Sequence, residues 1–258
     1  MTPLRQRMLE DMQLRAFSPR TQEAYVRAVR QLAAHFHKSP DLLTDEELRQ
    51  YFLQLTQDRH YARATVTIAL CGIKFSIEHT LGQTFTSLSL MRPPQTHTLP
   101  VVLSREEVWR ILPLVRFPVY RICLITIYAC GLRLLEGARL QVSQVDSARG
   151  LVHVTGKGQY DRYVPLPQTT LTLLRDHWRT HRSPQWLFPA HARQGQVYRV
   201  LPAAGPISRS SLQSAFHRAV LRSGVAKRAH VHTLRHYAGP RTMPSRLAIR
   251  PCSAPVSR

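Results

Sequence analysis

The stretch "VYRICLITIYACG", residues 119–131, constrains the fold of this chain more than any other part of it. Its apolar residues leave it no polar face, and a helix that is hydrophobic all round has to be enclosed by other elements. At this length it cannot cross a bilayer, which takes about 20 apolar residues. The stretch therefore predicts a buried central helix, ending at Cys130-Gly131, inside a water-soluble domain whose other elements must come from the flanking sequence.

Upstream, residues 1–85 read as helices. Ser18 and Pro19 offer an N-cap and a first helical position, after which Tyr25, Val29, Leu32 and Phe36 share one stripe and Arg20, Arg27 and Arg30 form a basic outer face. Thr44-Asp45-Glu46-Glu47 is a capping box ahead of Leu48, Tyr51, Phe52 and Leu55. A third helix carries Val66, Leu70, Ile73 and Ile77 and stops near Gly82. Residues 86–103, "TSLSLMRPPQTHTLPVVL", hold three prolines and no acidic residue, which reads as an extended linker and a domain boundary. A second capping box at Ser104-Arg105-Glu106-Glu107 then opens the next domain. After the central helix, "LVHVTGKGQYDRYVPL" gives two β-branched runs around a Gly-Lys-Gly turn, a hairpin, and helical patterns return at 168–181 and 208–223. The fold class expected is mainly α with a small β-hairpin or sheet, in two domains.

Charge narrows the partner. Thirty-six Lys and Arg against 15 Asp and Glu give a net charge of +21, spread along the chain. That balance favours a polyanion, and a nucleic acid over an anionic membrane, since there is neither a spanning run nor a signal-peptide pattern. Cys71, Cys123, Cys130 and Cys252 form no C-x-x-C pair, and the first three sit in apolar segments, so they read as reduced core thiols of a cytoplasmic protein. His230, His232 and His236 lack Cys or acidic companions at ligand spacing, so no metal is expected there, and no cofactor is called for.

Three places in the second domain offer groups of one kind. Arg133 and Glu136 in "CGLRLLEGARL" stand three apart at a helix start, where the carboxylate can orient the guanidinium. Lys157 occupies the hairpin tip, where glycines let the backbone approach a ligand. His232 and Arg235 in "VHTLRH" form a second pair at i, i+3. Each alone is commonplace: a surface ion pair, a solvated turn lysine, a chance spacing. Their combination in this order is not.

With these motifs, and with "LSREEV", "QVSQVD", "WLFP" and "ISRSSLQSAF" in the same order, residues 4–236 resemble the tyrosine recombinases, the phage-integrase and Xer-like enzymes that cut and rejoin DNA through a phosphotyrosine bond. The resemblance implies a SAM-like helical core-binding domain (1–85), a linker (86–103) and an integrase-type catalytic domain (104–237). It implies that Arg133 and Arg235 grip the scissile phosphate, that Lys157 protonates the leaving 5′ oxygen, that His232 assists, and that Glu136 supports them. Fixed guanidinium groups suit the charge that builds on the non-bridging oxygens, and a general acid suits the departing alkoxide.

The chain departs from that pattern after His236. The family continues the helix and later supplies a nucleophilic tyrosine, but here the only tyrosine past His236 is Tyr237, and residues 238–258 hold four prolines and no apolar stripe. The expectation is a frameshift or degenerate copy near codon 237, a disordered tail over 238–258, and no nucleophile. Three functions remain open: a DNA-binding module with cleavage lost, a recombinase whose tyrosine comes from an intact partner, and a basic RNA-binding protein. The first is preferred, with double-stranded DNA, inverted-repeat sites and possible oligomers as its partners.

Overall fold

The computed structural model describes residues 2–57, 61, 63–85, 99–155, 161–194, 197–200 and 205–235. The expectations for most of the linker, for the hairpin tip with Lys157, for Tyr237 and Cys252 and for the tail from 238 onward lie outside the described residues. The chain divides into two units, Met1–His97 and Thr98–Arg258.

The first unit is helical: α1 (Pro3–Leu14), α2 (Pro19–Phe36), α3 (Asp45–Gln57) and α4 (Arg63–Phe75). Ser18 caps α2 by accepting from the Thr21 N–H at 3.2 Å, and the Thr44/Glu47 box closes in both directions at 3.3 and 2.9 Å. Met8 and Met12 of α1 meet Leu32, Leu48, Phe52 and Ile73 in one core. Helices α2 and α4 touch at backbone distance, because a Cβ on Gly72 would stand 2.9 Å from the Cα of Tyr25. The third apolar stripe does not run to Gly82 as one α-helix: α4 ends at Phe75 and a π turn, Ser76–Thr80, carries Ile77 inward. Cys71 corrects the expectation of a core thiol. It is exposed, since the inward positions of α4 include Val66, Ala69 and Ile73, and residue 71, two positions from the last two, turns to the opposite side.

The second unit is built around α6 (Pro118–Cys130), the predicted central helix; ten of its thirteen residues are buried. Gly131, at φ 63°, takes the left-handed conformation that ends the helix and turns the chain. Around it pack α5 (Arg105–Ile111), α7 (Leu134–Ala138), α8 (Gln168–His181), α9 (Arg209–Ser223) and a 3-10 turn, Val231–Arg235. Ser104 and Glu107 form the predicted capping box. Leu103, the last residue of the expected linker, is already core. Glu107 and the Val102 carbonyl both accept from Lys227, at 2.8 and 3.0 Å, which fixes the entry of this unit to its later loop.

The expected hairpin is part of a three-stranded antiparallel sheet, order β1 (Val145–Asp146), β2 (Leu151–Thr155), β3 (Asp161–Pro165). Val152 faces Val164 and Val154 faces Arg162 across the pair, so these four share the inward side while Asp161 and Tyr163 lie outward. A second antiparallel pair, β4 (His191–Gln194) and β5 (Val197–Val200), was not foreseen. No described helix is long and apolar enough to cross a membrane.

Candidate functional site

The site begins where α6 stops. Gly131 turns the chain, Leu132 returns to the core, and Arg133 becomes the N-cap of α7 with its side chain 48% exposed. One turn on, Glu136 points back and is almost wholly covered, at 7% exposure. Its carboxylate accepts four hydrogen bonds. The Arg133 N–H reaches Oε2 at 2.6 Å and Arg133 Nη1 reaches Oε1 at 2.8 Å. Arg162, coming from β3, closes a fork on the same group, Nη1 to Oε1 at 3.1 Å and Nη2 to Oε2 at 2.7 Å. Burial opposes the charge on Glu136, but the bonds from Arg162 and from the Arg133 N–H and guanidinium outweigh it and hold the carboxyl down to about 2. The group is a carboxylate at any physiological pH.

The other sequence-predicted residues fall as follows. His232 is exposed and Arg235 half-buried on the 3-10 turn that packs against α6, the same helix that delivers Arg133. Lys157 lies outside the described residues, between Thr155 and Asp161 of the clamped hairpin. Arg20, Arg27 and Arg30 are all exposed on α2 of the first unit. Arg162 is the member that sequence reasoning missed. Its signal was the alternation of "DRYVP", which turns an arginine toward the inward side of a strand, where it needs an acid.

Tyr128 is fully buried beside Trp109, Tyr25 and Tyr51 pack in the first unit's core, and Tyr163 is 65% exposed on the strand face opposite Arg162.

Comparison with known proteins shows the family and the fold. Residues 4–87 match the phage integrase N-terminal SAM-like domain, and residues 102–247 match the phage integrase family. An integrase/recombinase of Sinorhizobium fredii is 39% identical over 92% of this chain and 74% of its own length. The tyrosine recombinase XerD of Oceanobacillus iheyensis is 28% identical over 72% of this chain and 64% of its own. The fold is similar to that of a lambda integrase chain crystallised as a dimer on a COC′ core site: TM-score 0.70 at 13% identity, covering 89% of this chain and 82% of that one.

Proposed function

We propose that this chain, which belongs to the phage integrase family of tyrosine recombinases, grips duplex DNA through the phosphates of a recombination site and, by itself, does not cut them. The observation that carries the reading is Arg133: a carboxylate with four donors fixes its base, while half of its side chain stays open to solvent. That is the arrangement a phosphate oxygen requires of a guanidinium held in advance. Arg235 is the second grip, His232 assists proton movement, Lys157 is the general acid for a leaving 5′ oxygen, and Arg20, Arg27 and Arg30 extend the contact onto the first unit. Each of the two units contributes contacts to inverted-repeat DNA, bound as oligomers like those crystallised for lambda integrase, in a cytoplasmic, DNA-associated protein.

The placement of the described tyrosines supports catalytic silence. Attack needs a tyrosine oxygen held in line with the phosphorus. Tyr128 is enclosed and Tyr163 faces away from the Arg162 side of its strand. Tyr237 stands two residues from Arg235, so on a continuing helix it faces away from the phosphate that Arg235 grips. Supply of the tyrosine by an intact partner is the alternative route to cleavage.

Two measurements test this reading. Affinity for a short duplex should fall steeply with salt, by about 0.9 in log–log slope per phosphate neutralised; a flat response removes the phosphate-led account. A nicked suicide substrate should yield no covalent adduct with the 258-residue chain, and should yield one on the partner's tyrosine only when an intact family member is added. An adduct on any tyrosine of this chain, abolished by Arg133→Ala, refutes the silence.

A further inference from the structure

Glu136 is shared between two arginines, and the sharing is unequal. Arg162 places both terminal nitrogens on it, one on each carboxylate oxygen, whereas the Arg133 guanidinium touches it through Nη1 alone. A carboxylate has about four lone-pair sites, and here the Arg162 fork, the Arg133 N–H and one Arg133 nitrogen fill them. The trio carries one unbalanced positive charge, and the more exposed arginine is Arg133, at 48% against 34%.

We propose that Arg162 is a positioning residue for Arg133: its fork occupies Glu136, so the carboxylate tethers Arg133 at a single point and leaves the rest of that guanidinium for a DNA phosphate. Without the fork, Glu136 is a nearly covered carboxylate with one arginine beside it, and the favoured outcome is a bidentate pair that draws Arg133 away from the DNA. The same fork ties β3 to the first turn of α7. Its place on β3 fits this role: it pairs with buried Val154, on the side of the strand that faces the core, and its side chain is one-third exposed.

The inference rests on the reading of Arg133 as a phosphate grip, and the experiment separates the two. The full chain is titrated with a short duplex across a salt series as wild type, Arg133→Ala, Arg162→Ala, Arg162→Lys and the double variant Arg133→Ala/Arg162→Ala, with thermal melting measured in parallel. Expected is a slope lower by about 0.9 for Arg133→Ala, one phosphate contact, the same loss for Arg162→Ala, and no further loss in the double variant. Arg162→Lys keeps the charge but not the fork, and should behave as Arg162→Ala; it also decides the matter if Arg162→Ala fails to fold. A slope unchanged in both Arg162 variants while Arg133→Ala loses its contact overturns the positioning role alone. Additive losses in the double variant overturn it too, by making Arg162 an independent phosphate contact, and so does a wild-type slope in Arg162→Lys. A lower melting temperature with an intact slope marks a merely structural residue and overturns it as well. If Arg133→Ala itself binds as wild type, the grip falls and the inference with it.

Discussion

Replacing Glu136 with glutamine removes the one carboxylate on which two guanidinium groups converge, and the structure gives the size and the pH dependence of the loss. An amide keeps one acceptor and turns an NH₂ donor toward arginine donors, so at least two of the four bonds at 2.6–3.1 Å are lost. The carboxyl is held down to about 2 against an ordinary 4.5, a difference worth about 3 kcal/mol at neutral pH. The sign follows from linkage: a carboxyl whose folded pKa is depressed stabilises the fold above its unfolded pKa and loses that contribution as pH falls through the folded one. Wild type should therefore exceed Glu136→Gln by about 3 kcal/mol above roughly pH 5, and the gap should close between 4.5 and 2. All three tryptophans, Trp109, Trp178 and Trp186, lie in the second unit, so urea unfolding followed by tryptophan fluorescence reports that unit alone. A gap that persists unchanged at low pH, or a difference below about 1 kcal/mol at neutral pH, within the range of an exposed ion pair, would show that the network is not the buried carboxylate site described above.

Three other substitutions probe the frame around the site. Gly137→Ala puts a Cβ 2.4 Å from Cγ1 of fully buried Ile127, so it should cost about 1–3 kcal/mol by overpacking, and pairing it with Ile127→Ala should cost less than the two changes separately, read by urea unfolding. Gly72→Ala must part α2 from α4 at the Tyr25 backbone; it should speed amide exchange in those helices while leaving the tryptophan transition where it was. Ser104→Ala breaks the capping box of α5 and should lower the tryptophan-monitored stability by about 1 kcal/mol.

What the sequence disclosed of these features depended on how local their causes are. The buried helix showed itself because apolar residues on every side admit few other readings, and Gly131 marked its end with the backbone freedom that a left-handed C-cap needs. Both capping boxes are four-residue signals, as is the Arg133–Glu136 pair. The short strand β1 is only Val145–Asp146 and exists through its pairing with β2, a partner several residues away that no local pattern names. Strands β4 and β5 likewise depend on each other. Cys71 misled because composition said apolar, whereas the helical period sets it two residues from the inward positions. Arg162 was hidden for a third reason: its partner is 26 residues away, and only a fold that brings β3 to the start of α7 joins them.

The way the site is mounted leads to a last prediction. Arg133 leaves the C-terminal end of α6 after one glycine turn, and the turn bearing His232 and Arg235, a hundred residues later, packs against the same helix. In the proposed grip two cations hold one phosphate and need a fixed separation, and misplacement by about 1 Å can cost a hundredfold in such positioning. A helix buried along ten of its thirteen residues is a stiff support, since close-packed interiors transmit strain and yield little. Thinning that support should therefore disturb the grip before it unfolds the unit. Leu124, fully buried in α6, is the place to test it: Leu124→Ala should cost about 2–5 kcal/mol of stability. At temperatures where tryptophan fluorescence still reports a folded second unit, the variant should also bind duplex DNA more weakly than wild type, with a shallower salt slope. A variant destabilised by that amount yet binding with wild-type affinity and slope would mean that the cations keep their spacing without α6, and that the helix serves the core alone.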